Sequence, residues 1–70
     1  MTDKIEVSAL WRLPKVKEVT SLGGTTIWEW VRAGRFPKPF KLSATVTVWR
    51  AVEVAAWIEA RANGENPSYE

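Results

Sequence analysis

The chain has 70 residues, a net charge of +2, five tryptophans, and neither cysteine nor histidine. One domain of this length buries only about 60% of the surface its unfolded chain exposes. With no disulfide and none of the commonest zinc ligands, its stability must come from apolar packing, and most of the tryptophan rings are read as core.

Residues 1–9 mix polar and apolar types without a period, and Leu10-Trp11-Arg12-Leu13 alternates for a short span. This predicts a flexible arm followed by a short strand. Pro14 suits a first helical turn, and Val16, Val19 and Leu22 recur at threes behind it, predicting a helix over about Pro14 to Thr20. Thr20-Ser21-Leu22-Gly23-Gly24 breaks the period. Thr25 to Ala33 resumes it with Ile27, Trp30 and Val31 on one face, and Gly34 stops this second helix in a left-handed conformation. Two short helices joined by a glycine-containing turn make a helix-turn-helix unit. If Ile27, Trp30 and Val31 face the core, then Gly24, Thr25, Trp28, Glu29 and Arg32 face away.

Pro37 and Pro39, separated by one residue, force an extended path after Gly34. Phe40-Lys41-Leu42 and Val46-Thr47-Val48-Trp49 are β-rich segments around Ser43-Ala44-Thr45, so a hairpin with a three-residue loop is expected. A last helix over about Val52 to Ala62 ends at Asn63-Gly64. The predicted fold is α+β, a small winged helix-turn-helix: short strand, two-helix unit, hairpin wing, C-terminal helix. The domain is expected over residues 10–63, flanked by the arm (1–9) and a flexible acidic tail (64–70).

The charge is unevenly spread. Residues 12–50 carry eight cations and two acids, a net of +6, while residues 1–11 and 51–70 sum to −1 and −3. From Arg32 to Arg50 there are five cations and no acid. Such a stretch is either a phosphate-binding surface or a solvated basic face without a partner.

Catalysis is disfavoured by the inventory. Ser8 and Ser43 have no histidine as base, the carboxylates show no pairing, and Gly23-Gly24 lacks the Lys-Ser/Thr of a phosphate loop. No enzyme, metal site or cofactor is expected. No apolar run approaches the roughly 18–20 residues of a membrane span, and Met1-Thr2-Asp3-Lys4 does not read as a signal peptide, so a cytoplasmic, nucleoid-associated protein is expected.

In wording as well as order, the chain resembles the AlpA-type family of phage and prophage regulators, which includes excisionase-like proteins. The resemblance rests on Arg12-Leu13-Pro14-Lys15-Val16, Thr26-Ile27-Trp28, Gly34-Arg35-Phe36-Pro37-Lys38-Pro39 with Lys41-Leu42, and Trp49 with Glu53-Val54 and Trp57-Ile58. It implies a fold close to the excisionase and MerR winged-helix type, with the second helix in the major groove and the hairpin against a neighbouring minor groove or backbone. It also implies double-stranded DNA as partner, self-association on DNA, and an integrase or other protein as a further partner. Departures from the family pattern are Gly24 in place of an arginine, Glu29 in place of a basic residue, Thr45 in place of an arginine near the wing tip, and Val52 in place of a serine cap. These imply a lighter grip on phosphate.

The candidate recognition-helix residues are Gly24, Thr25, Thr26, Trp28, Glu29 and Arg32. Arg32 can fork onto a guanine edge or hold a phosphate. Thr25 can touch a base edge or a phosphate at the helix start, while Thr26 reads better as a cap. Trp28 reads better as a packed ring than as a DNA contact. Glu29 can accept from cytosine, steer against wrong sequences, or pair with Arg32. Arg35, Lys38 and Lys41 read as backbone-positioning cations, with Thr45 and Thr47 completing the wing. A second reading keeps the fold but uses the tryptophan-rich surface and Val52 to bind or inhibit a protein partner.

Overall fold

The computed structural model describes residues 9–69, and the arm expected over residues 1–9 lies, apart from Ala9, outside them. In chain order the elements are β1 (Leu10–Trp11), α1 (Leu13–Thr20), α2 (Gly24–Arg32), β2 (Phe40–Ser43), β3 (Val46–Arg50) and α3 (Ala51–Ala62). The strands form one antiparallel sheet in the order β1-β3-β2. The architecture is the expected small α+β winged helix-turn-helix.

The start and end of each helix follow from local chemistry. Pro14 sits in the first turn of α1, where a missing N–H costs nothing, and Ser21 ends that helix at φ 63°. Helix α2 ends in a paired motif on Gly34, at φ 77°. The Gly34 amide donates to the Val31 carbonyl (3.1 Å) and the Arg35 amide to the Trp30 carbonyl (2.8 Å). The same motif closes α3 on Gly64, with Gly64 N–H on Arg61 (3.0 Å) and Glu65 N–H on Ala60 (2.9 Å).

The core gathers Val16 of α1, Ile27 of α2, Val48 and Trp49 of β3, and Ala51, Val54 and Trp57 of α3. Phe36, from the proline-bounded linker, is fully buried between two indoles, 4.7 Å from Trp57 and 6.3 Å from Trp49 by ring centroids. Both indoles donate a hydrogen bond into that linker, Trp49 Nε1 to the Pro37 carbonyl and Trp57 Nε1 to the Arg35 carbonyl, each at 2.8 Å. Buried indole N–H groups are thereby satisfied, and the linker is tied at both ends of Phe36.

Three expectations need correction. The hairpin loop has two residues, Ala44-Thr45, since Ser43 pairs with Val46 and the register slips between Lys41 and Ser43. Sequence spacing alone does not show a bulge, so the slip is read as loop. Val52 is no cap: α3 starts directly from β3 with Arg50 as its cap residue, leaving Val52 half-buried in the first turn. Thr26 does not cap α2 either, because Gly23 occupies that position without a side-chain bond and Thr26 lies inside the helix.

Residues 65–69 carry no helix or strand, yet they run back onto the domain. The Tyr69 amide donates to the Gly34 carbonyl at 2.7 Å, and its half-buried ring packs against the core cluster. Arg61 Nη1 bonds Asn66 Oδ1 at 2.7 Å, with the guanidinium 5.7 Å from the rings of both Trp30 and Trp57. Burial, reinforced by Glu53, pushes the Tyr69 phenol above its ordinary value of 10.0. The tail touches Gly34 so closely that a β-carbon there would lie 2.7 Å from the Tyr69 carbonyl oxygen.

Candidate nucleic-acid interface

Helix α2 is oriented by its buried side. Ile27 is fully buried, and Trp28, Trp30 and Val31 pack around the core at intermediate exposure. What remains open is a narrow face: Thr25, Glu29 and Arg32 are all exposed, at spacings of four and three residues that stack them on one side. Glu29 and Arg32 form no ion pair; among the described residues the salt bridge found is Lys15–Glu18 at 3.7 Å. Among the described residues both charges on α2 are thus exposed without an ion-pair partner.

Two residues expected on this face are elsewhere. Trp28 packs on Trp49, ring centroids 5.4 Å apart, joining α2 to β3. Gly24 faces α1: a β-carbon there would lie 3.7 Å from Leu13 Cδ2 and 4.0 Å from Lys17 Cδ. Counting periodicity outward from Ile27 misplaces Gly24, because a first-turn residue of α2 meets the packed end of α1.

That same contact brings in a residue the sequence reading did not single out. Lys17, exposed in the last turn of α1, lays its stem beside the start of α2. Its ammonium is thus a cation near the place where the family pattern puts an arginine. The available signal was a lysine in the last turn before a glycine pair.

The second cluster lies on the linker and wing. Arg35 and Lys38 are exposed on the linker that the indoles hold, and Lys38 shares a surface hollow with Glu53, Ala56, Ser68 and Tyr69. Lys41 and Thr47 are cross-strand partners, Lys41 exposed and Thr47 half-buried. Lys41 Nζ reaches the Ala44 carbonyl at 3.5 Å, setting its charge at the turn beside the exposed Thr45. Arg50 is a further exposed cation, its guanidinium 5.1 Å from the Phe40 ring centroid. No acid falls between Trp30 and Val52, so α2's end, the linker and the hairpin carry cations and no acid of their own.

A family model described as "Prophage CP4-57 regulatory protein (AlpA)" matches residues 9–62. The chain belongs to the AlpA family. A relative from Enterobacteria phage P4, the "Uncharacterized protein ORF88", is 34% identical over 59 residues, covering 84% of this chain and 67% of the relative. The AlpA match ends at Ala62, so the Asn66 and Tyr69 contacts lie beyond the part shared with the family. AlpA proteins are regulators of phage origin. No helix among the described residues is long and apolar enough to cross a membrane.

Proposed function

We propose that this AlpA-family protein is a sequence-specific, double-stranded-DNA-binding regulator, acting in transcription, in excisive recombination, or in both. The reading rests on one observation above others: α2 holds Thr25, Glu29 and Arg32 in the open while its opposite face is locked into the core. In it, α2 enters the major groove, Thr25 and Arg32 read base edges, and Glu29 accepts from cytosine or rejects wrong sequences. Lys17, Arg35, Lys38, Lys41 and Arg50 grip phosphate, with Thr45 and Thr47 along the wing against a neighbouring minor groove or backbone.

A helix with three open side chains reads too few base pairs to find one genomic site, so several copies must act together. Helix α3, of 12 residues, is too short for a stable coiled-coil dimer. The protein is then a monomer that lines up on repeated sites, the basic wing of one copy against the exposed Glu53 and Glu59 of the next. An integrase is the further partner such an array would recruit. Action on DNA places the protein in the cytoplasm, at the nucleoid.

The protein-interaction alternative needs an open tryptophan-rich surface and an open Val52. All five indoles and Val52 are at least half covered, which favours the DNA reading. The test is a gel-shift titration against DNA flanking the gene at several salt concentrations. With about 0.9 counterions released per phosphate contact, the log–log slope is expected on the order of −3 to −5. Binding indifferent to salt, or independent filling of tandem sites, contradicts the proposal.

A further inference from the structure

We propose that Leu42 is a wedge, which the wing presses between base pairs from the minor groove to kink the duplex. The proposal rests on the DNA-binding reading above and adds a residue and a DNA distortion to it.

Among the described residues the large apolar side chains left exposed are Phe40, at 36%, and Leu42, at 58%. Both belong to β2, a strand of four residues all of which are exposed. The other large apolar side chains among the described residues are covered at least in part, and these two are left open on one strand. Phe40 is partly capped by the Arg50 guanidinium, so Leu42 is the open knuckle.

The backbone singles out the same residue. Lys41 pairs with Thr47 and Ser43 with Val46, so β2 advances two residues while β3 advances one. Leu42 is the extra residue of a β-bulge, a device that bends a strand and re-aims a side chain.

Charge then selects the partner. Leu42 follows Lys41, whose ammonium sits at the turn, and lies two residues along β2 from Phe40, which the Arg50 guanidinium covers, in a segment without acids. A single apolar knuckle beside cations is a poor match for an apolar protein pocket, which is met by a contiguous patch. It suits a ligand with two anionic rims and an apolar stack between them, which is the minor groove of duplex DNA. Because pyrimidine–purine steps unstack most easily, the wedge would favour sites carrying TA or CA steps without any hydrogen bond to those bases.

The test uses the full chain and two fluorescently end-labelled duplexes of equal length, one rich in TA and CA steps and one built of A-tracts, read by affinity and by end-to-end energy transfer. Wild type is expected to bind and shorten the first duplex by a kink of at least about 20°. Leu42→Ala should bind that duplex about five- to tenfold more weakly and leave it straight, with unchanged near-ultraviolet circular dichroism. Leu42→Met should restore the kink, and Lys41→Ala should weaken binding to both duplexes while the bound DNA stays kinked. A Leu42→Ala complex as bent as wild type overturns the wedge, as does an equal loss of affinity on both duplexes without a change in bending. Failure of wild type to bind either duplex overturns the DNA reading itself.

Discussion

Strands β2 and β3 are neighbours in one hairpin, yet they do opposite things. β3 carries Val48 at 2% exposure and Trp49 at 0%, while every residue of β2 is exposed. One strand is the floor of the core and the other is held in place almost wholly by backbone pairing. A substitution on β3 should therefore register as lost stability, and one on β2 as lost binding with stability intact. The same division separates the inner and outer faces of α2.

The sharpest way to break this contrast is Trp49→Ala. It removes a fully buried ring, its packing on Trp28 and Phe36, and the bond that satisfies the Pro37 carbonyl. Large aromatic truncations cost about 3–5 kcal/mol. A domain of 70 residues holds only about 4–10 kcal/mol in all. Urea denaturation should show the variant largely unfolded; a change below about 1 kcal/mol would mean that β3 is not the floor of the core.

Gly34→Ala comes next. The left-handed backbone costs a non-glycine residue about 1–2 kcal/mol. In addition, the new β-carbon would collide with the Tyr69 carbonyl oxygen at 2.7 Å. Deleting residues 65–70 should leave only the backbone part of that penalty, so a double-mutant cycle on melting curves separates the two.

How much of this was legible in the sequence depends on the range of the interaction. Gly34 and Gly64 were readable as helix stops because a left-handed cap has a local signature, and both lie at positive φ. The helix-turn-helix, wing and last helix followed from period and proline placement. The hairpin loop was read as three residues where it has two, because a bulge has no compositional mark. Gly24 came out on the outer face because a helical wheel ignores what stands at the helix's ends, here Leu13 and Lys17, whereas Trp28, outward by the wheel, was legible as a packed ring and packs on Trp49. The return of Tyr69 to Gly34 was illegible, since a backbone hydrogen bond between distant residues leaves no pattern in side chains.

Smaller effects sharpen the comparison from the exposed side. Lys41→Ala should shift stability by less than about 0.5 kcal/mol, weaken all DNA sequences alike and reduce the salt slope by about 1. Arg32→Ala should cost about 1–3 kcal/mol at one base pair and leave the others unchanged. A panel of point-mutated sites distinguishes the two; identical profiles would show that α2 and the wing do not divide the work.

The smallest effect is alkaline. The Tyr69 phenol is held above 10.0 when docked, chiefly by burial and then by Glu53, so docking favours the neutral form. Its contribution is complete below pH 10 and fades as pH rises through the folded value. Melting temperature followed across that range should fall less in Tyr69→Phe than in wild type; parallel curves would show that the ring does not sense its docking.

Three carbonyls in the short run after α2, those of Gly34, Arg35 and Pro37, are each fastened by a donor from a different element: the Tyr69 amide, the Trp57 indole and the Trp49 indole. The span from α2 to the wing is thus a ruler and not a tether. Under the proposed function, in which α2 and the wing touch two grooves, a fixed ruler turns distance along the duplex into part of the code. Inserting one base pair between the segment read by α2 and the segment gripped by the wing should then be penalised as a wrong base would be, although no base that the protein touches has changed.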